Sequence, residues 1–178
     1  NFNHPINRWN ISNVQNISNT FKGCISFNQP LNSWDVSSVT NMLAMFYDAS
    51  SFNQPLDSWD VSSVTTANQT FDGASAFNGD VSSWDVSSLT HMNAIFRYAS
   101  AFDQDLSDWN VSADANLTDM FFNTPSLSTT NKGLIHESFA SNPNWPHDWR
   151  EFVILDDSNF QTAVNLWFDN QAEANATY

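Results

Sequence analysis

The sequence predicts an α/β repeat solenoid. The expected form is a leucine-rich-repeat-like, right-handed stack of 25-residue units, with short parallel β-strands on one face, short helices or 3₁₀ turns on the other, and a helical cap at the C-terminal end. Three observations predict it. First, "FNQPLNSWDVSSVTNMLAMF" (27–46) returns as "FNQPLDSWDVSSVTTANQTF" (52–71) and "FNGDVSSWDVSSLTHMNAIF" (77–96). Second, whole columns keep their chemistry at that period: Phe2, Phe27, Phe52, Phe77, Phe102; Trp9, Trp34, Trp59, Trp84, Trp109; Ile11, Val36, Val61, Val86, Val111; and Phe21, Phe46, Phe71, Phe96, Phe121. Third, no insertion interrupts them. One such unit is too short to bury its own aromatics, and stacked units bury them against their neighbours' equivalents.

Each element has its own justification. In "SWDVS" apolar and polar residues alternate and β-rich types dominate, so it reads as a short strand with Trp and Val inward. Strands in register would form a parallel sheet with a spacing of roughly 4.8 Å per unit. "VTNMLAMF" places apolar residues at 39, 42, 45 and 46, a helical pattern that Ser38 or Thr40 can cap. "FNQPL" is a return loop in which Pro30 and Pro55 stop any helix. Strand, corner, short helix and loop at this period form a leucine-rich-repeat architecture.

The motif "FNQPLxSWDVSSVTxM…MF" and its copies resemble the BspA-type leucine-rich-repeat family of surface proteins, over most of the chain. The resemblance implies a solenoid, a cell-surface or secreted location, and a role in adhesion or partner binding rather than catalysis. The fifth unit, "NVSADANLTDMF", departs from the pattern, with Asp114 where Val or Leu is usual.

Residues 1–126 thus form five repeats. Residues 127–155 read as a C-terminal cap: Leu127 and Leu134 still fall on the Phe and Trp columns, but His136 falls where Val belongs. Ser128 or Thr129 starts a helix over 132–140 with Leu134, Ile135 and Phe139 inward, Asn142 and Pro143 end it, and Trp145 and Trp149 cover the last rung. In 156–178, Phe160, Val164, Trp167 and Phe168 follow the spacing of an amphipathic helix, expected to open a following array. The chain begins at Asn1 without Met and shows no cap ahead of Phe2, so it reads as a piece of a longer repeat protein.

Composition narrows the function. Hydrophobic residues make up 41% and aromatics 15%, enough for a core and unlike a disordered chain. The net charge of −14 speaks against nucleic acid and anionic lipid, whose binding rests on cations. No apolar run has the length of a membrane span. With Cys24 alone there is no internal disulfide, and its place in a column of alanines reads as a buried thiol. Six N-x-[ST] sequons, at Asn10, Asn16, Asn68, Asn110, Asn116 and Asn175, matter only in a eukaryotic secretory pathway.

The site candidates lie in the polar columns beside the Trp column: Asn10, Asp35, Asp60, Asp85, Asn110, and Ser12, Ser37, Ser62, Ser87, Ser112. Three readings stand for the stacked carboxylates. They bond hydroxyls and backbone N–H groups at the corner, they hold Ca²⁺, or they contact a ligand directly. The ligand-face set is Asp35, Ser37, Asp60, Ser62, Asp85, Ser87, Asn110 and Ser112. The calcium candidates are Asp35, Asp60 and Asp85 with the loop group Asp103, Asp105 and Asp108, to which Asp80 belongs one repeat earlier. His4, His91, His136 and His147 form no zinc pair, and no phosphate loop or G-x-S-x-G is present, so no catalytic residue is assigned. The Trp column could be a carbohydrate platform, but alternation with Asp places it in the core.

The expected function is a non-catalytic binding or adhesion module of a larger extracellular or cell-surface repeat protein. Its partner would be a protein or a glycan, with neighbouring repeats of the parent protein alongside and no nucleic acid and no membrane insertion. The alternative is a structural spacer in a surface stalk. A calcium-dependent adhesin and a hydrolase on a repeat scaffold are minor alternatives.

Overall fold

Most of the buried side chains of each repeat sit three residues apart, and this spacing builds the fold. In the second repeat Trp34 N–H bonds the carbonyl of Leu31, Val39 that of Val36, Met45 that of Met42, Ala49 that of Phe46 and Phe52 that of Ala49, at 2.8–3.1 Å. Each bond closes a β-turn, and apart from Ala44, which is buried, the central residues are at least partly exposed, so Asn, Ser and Asp fill many of the corners. The computed structural model describes residues 2–154 together with Phe160 and Val164. Five coils of this kind, 2–26, 27–51, 52–76, 77–101 and 102–126, are laid one on another. After them come helix α1 (Thr129–Phe139) and a single 3₁₀ turn, Arg150–Phe152. The amphipathic helix expected over 156–178 lies, Phe160 and Val164 apart, outside the described residues.

The expected α/β solenoid is therefore corrected. Among the described residues there is no strand, and "SWDVS" pairs with nothing as a sheet. Parallel pairing is limited to single bridges that link Asn16, Asn41, Thr66, His91 and Asn116. Trp34 and Val36 mimic strand alternation only because they are the ends of two adjacent turns. Nor is there a helix over 39–46. Ala44 and Asp48 have φ of 52° and 54°, in the left-handed region, and so do their equivalents in every coil: Asn19, Gln69, Ala94 and Asp119, and Gly23, Gly73, Tyr98 and Asn123. Such residues break both helix and strand.

The same backbone ties the coils together. N–H groups of Met42, Ala44, Phe46 and Asp48 all point forward and bond the carbonyls of Thr66, Asn68, Thr70 and Asp72 at 2.8–2.9 Å. The set recurs at each of the other junctions. Inside, rings stack in register: Phe27 on Phe52 and Phe52 on Phe77 at 5.9 Å, Phe46 on Phe71 at 5.4 Å, Trp59 on Trp84 at 6.3 Å. Each fully buried Phe contributes about 1.5–3 kcal/mol. Trp34, Trp59, Trp84 and Trp109 also donate their indole N–H to a carbonyl of the preceding coil, at 3.0–3.2 Å. The Trp column is thus core from Trp34 onward, and Trp9 is exposed.

A side-chain ladder runs alongside. The Oδ1 of Asn3 accepts the N–H of Asn28, and so on through Asn53 and Asn78 to Asp103, at 2.8–2.9 Å. Asp103 ends it by taking the N–H of Ser128 and the Nδ2 of Asn131 at the start of α1. Burial would raise its carboxyl, but the bonds from Ser128 and Asn131 and the charge of Lys132 outweigh this and hold it below the usual value.

In the fifth coil Asp114 cannot go inward. The turn slips by one residue, Ala115 N–H bonding Ser112 O, and Ala115 takes the buried place. Asn142 and Asn144 then reach the exposed carbonyls of Ser112 and Ala113 at 2.8 and 3.0 Å. Helix α1 starts at the N-cap Ser128 and buries Ile135, Phe139 and also His136, while Leu134, expected inward, is half-buried. A Cβ at Gly133 would strike the Phe152 carbonyl, so glycine lets the 3₁₀ turn lie against the helix. Trp145 and Trp149 meet Phe121 at 6.3 and 5.6 Å. Trp145 Nε1–H donates to His136 Nδ1 at 3.0 Å, and His147 stacks on Trp149 at 4.4 Å.

Both imidazoles are held below the usual histidine value, burial being the largest cause in each. Around His136, Asp148 and Glu137 oppose this and Arg150 adds to it. Around His147, Asp119 opposes it and His136 and Lys132 add to it. Unfolded chain takes up these protons near pH 6.5, before the folded cap does. The cap's stability is therefore full above that value and is lost as pH falls below it. Lowering pH from 7.5 to 5 should lower the melting midpoint and shift tryptophan emission to the red. His136→Gln/His147→Gln should flatten that dependence.

Candidate functional site

Most of the polar surface is occupied in holding the fold. Ser37 donates both its N–H and its hydroxyl to Asp35 Oδ1, at 3.1 and 2.6 Å, and Ser62 does the same to Asp60. Ser87 donates its N–H to Asp85 at 3.0 Å. These bonds hold the Asp35 and Asp85 carboxyls below their ordinary value, the serine hydroxyl being the largest cause in each. Asp80 and Asp105, standing where earlier coils have Pro, make the same turn with Ser82 and Ser107. The hydroxyls of Thr40, Thr65 and Thr90 bond carbonyls one coil back.

The structure thus places the ligand-face set along one ridge, yet commits Asp35, Asp60 and Asp85 to Ser37, Ser62 and Ser87. Asn110 and Ser112 fall at the slipped turn, where the Ser112 hydroxyl accepts from Asp114 N–H. Asp103 belongs to the ladder and the cap, and Asp108 stands exposed on the ridge. Among the described residues no three His, Cys, Asp or Glu side chains gather as a metal ion would need.

A different strip varies from coil to coil. Its first column reads Lys22, Tyr47, Asp72, Arg97, Phe122, five different residues, and its second Gly23, Asp48, Gly73, Tyr98, Asn123. The backbone here is the left-handed corner that ties the coils, so the side chains are free to differ. Lys22 Nζ lies 4.8 Å from the centre of the Tyr47 ring, and the Arg97 guanidinium 5.7 Å from that of Tyr98. Tyr98 meets Phe122 edge-on at 5.5 Å, and these two rings are 44% and 52% exposed. At Gly73 a Cβ would collide with the Asp48 carboxylate, so the glycine makes room for that side chain.

One ion pair fixes the middle of the strip. Asp72, buried, receives both Nε and Nη2 of Arg97 on one oxygen, at 3.0 and 2.6 Å. That contact also raises the proton affinity of the guanidinium. Lys22 and Arg97 offset Asp48 and Asp72, so the strip is near neutral on a chain of charge −14. Tyr and Arg are the residue types that dominate protein-binding hot spots. None of these residues was a sequence candidate. The available signal was one surface column in which no residue recurs, next to the constant Phe column.

Residues 1–74 and 56–141 match the family described as "Mycoplasma protein of unknown function, DUF285". The chain belongs to this family, and the two overlapping matches fall on the repeat array and the start of the cap. Neither a curated protein nor a solved structure matches it.

The ion pair can be tested directly. Arg97→Met leaves Asp72 charged and buried without its partner, and urea unfolding should show a loss of about 3 kcal/mol. Asp72→Asn/Arg97→Met should recover most of it.

Proposed function

We propose that this array is a non-catalytic binding module of an extracellular or cell-surface protein, and that it acts in adhesion or recognition through the Lys22–Phe122 strip. The observation that carries the reading is a surface column of five different residues, Lys22, Tyr47, Asp72, Arg97 and Phe122, directly beside the constant Phe column of Phe21, Phe46, Phe71, Phe96 and Phe121. Side chains here carry no stacking duty and are free to differ, and a surface shaped to a partner uses that freedom. The exposed Tyr98 and Phe122, supported by Arg97, supply anchor chemistry for a protein partner. The resemblance to BspA-type surface repeats supports the cell-surface location. In this reading the Asp/Ser ridge is scaffold, which also suits a spacer role for that side of the molecule.

The test is binding of the purified chain to immobilised extracellular-matrix proteins and to a glycan panel. Saturable binding to a protein, weakened at least tenfold by Tyr98→Ala/Phe122→Ala and unchanged by Ser37→Ala/Ser62→Ala, supports the reading. Binding that survives loss of Tyr98 and Phe122, or no binding at all, overturns it and leaves the spacer.

A further inference from the structure

We propose a second, independent binding site for a neutral sugar residue in the groove between the fifth coil and α1, centred on Asp108 and Asn110. Two grooves meet there. One of about 440 Å³ runs between Ser107–Val111 and the end of α1 at Ser138 and Phe139, with Asn142 just beyond it. The other, of about 420 Å³, lies on the fourth-coil side and shares Asp108 and Asn110. Both fall in the size range of small-molecule clefts.

This is where the repeat's self-bonding on the ridge fails. Earlier coils carry Ser at the Asp108 position: Ser33, Ser58 and Ser83 donate their hydroxyls to the carbonyls of Asn7, Asn32 and Asp57, at 2.8–3.0 Å. Asp108 has no hydroxyl to give, so the equivalent carbonyl, that of Ser82, receives no such bond. Likewise Asn10, Asp35, Asp60 and Asp85 each accept from the serine two residues on. Asn110 does not, because the slip forced by Asp114 has turned Ser112 toward the next peptide. Two substitutions and one slipped turn thus leave a carboxylate, a carboxamide and a carbonyl uncommitted within one cleft.

The inventory selects the ligand. Asp108 and the Ser82 carbonyl only accept, the Asn110 amide donates and accepts, and the hydroxyls of Ser107 and Ser138 do both. A cation would use the acceptors alone. Vicinal hydroxyls of a sugar ring use both kinds.

The experiment is saturation-transfer NMR on the whole chain with methyl glycosides of common hexoses and N-acetylhexosamines at millimolar concentration. Saturable transfer is expected from at least one glycoside. Asp108→Ser, which restores the hydroxyl used by three other coils and so keeps the fold, should weaken it at least tenfold. Tyr98→Ala/Phe122→Ala should leave it unchanged, which separates this site from the strip. Absence of transfer from every glycoside, transfer unaffected by Asp108→Ser, or displacement by lysine methyl ester but by no glycoside would each overturn the proposal.

Discussion

The fold depends on the forward-pointing peptide N–H groups that tie one coil to the next. They point the same way because left-handed residues recur at two fixed places per coil, as at Ala44 and Asp48. An L-residue other than Gly, Asn or Asp pays for that conformation, so Ala44, Ala94, Gln69 and Tyr98 are strained locally. The strain persists because every such peptide also closes a bond to a neighbour. Ala44 N–H reaches Asn68 O, and Tyr98 N–H reaches Phe122 O, both at 2.9 Å. In the last coil, where no further coil follows, Asp119 and Asn123, types that tolerate the left-handed region, hold the same corners. Cooperativity between adjacent coils follows from the backbone as much as from the rings.

That constraint divides the surface. Where a polar side chain can serve the stack, the repeat keeps it: Asn28 and Asn53 for the ladder, Ser58 and Ser83 for the carbonyls below, Asp35 and Asp60 for the turns. Where the backbone alone does the tying, the side chain has no structural duty. Lys22, Tyr47, Asp72, Arg97 and Phe122 occupy such a place. The exception is Asp72, whose burial obliges Arg97 to stand beside it and thereby presents the guanidinium next to Tyr98.

The period, the buried columns and the start of the cap were legible in the sequence because they rest on side-chain type, and Phe and Trp at fixed intervals have one physical use. The backbone was not legible. Trp34 and Val36 stand two apart for a reason unrelated to strands, and Val39, Met42 and Met45 match a helix only because turns also place inward residues three apart. The left-handed corners were hidden as well. Gly would have announced them, but only Gly23 and Gly73 do so, and Ala44 and Tyr98 give no sign. The candidate strip escaped for the opposite reason. Attention to what repeats passes over the one column that never does.

Asp114 shows how one residue converts scaffold into surface. Its charge cannot enter the column that Val39 and Val64 fill, so the turn slips and Ala115 goes in instead. The slip costs no register, because Asn116 still bridges to His91 and Phe121 still stacks on Phe96 at 5.9 Å. It does rotate Ser112 away from Asn110 and turns the carbonyls of Ser112 and Ala113 to Asn142 and Asn144. The same substitution that seats the cap therefore releases Asn110 from the turn its counterparts serve. Asp114 thus helps to close the end of the array and, together with Asp108 in place of serine, leaves its last ridge chemically open.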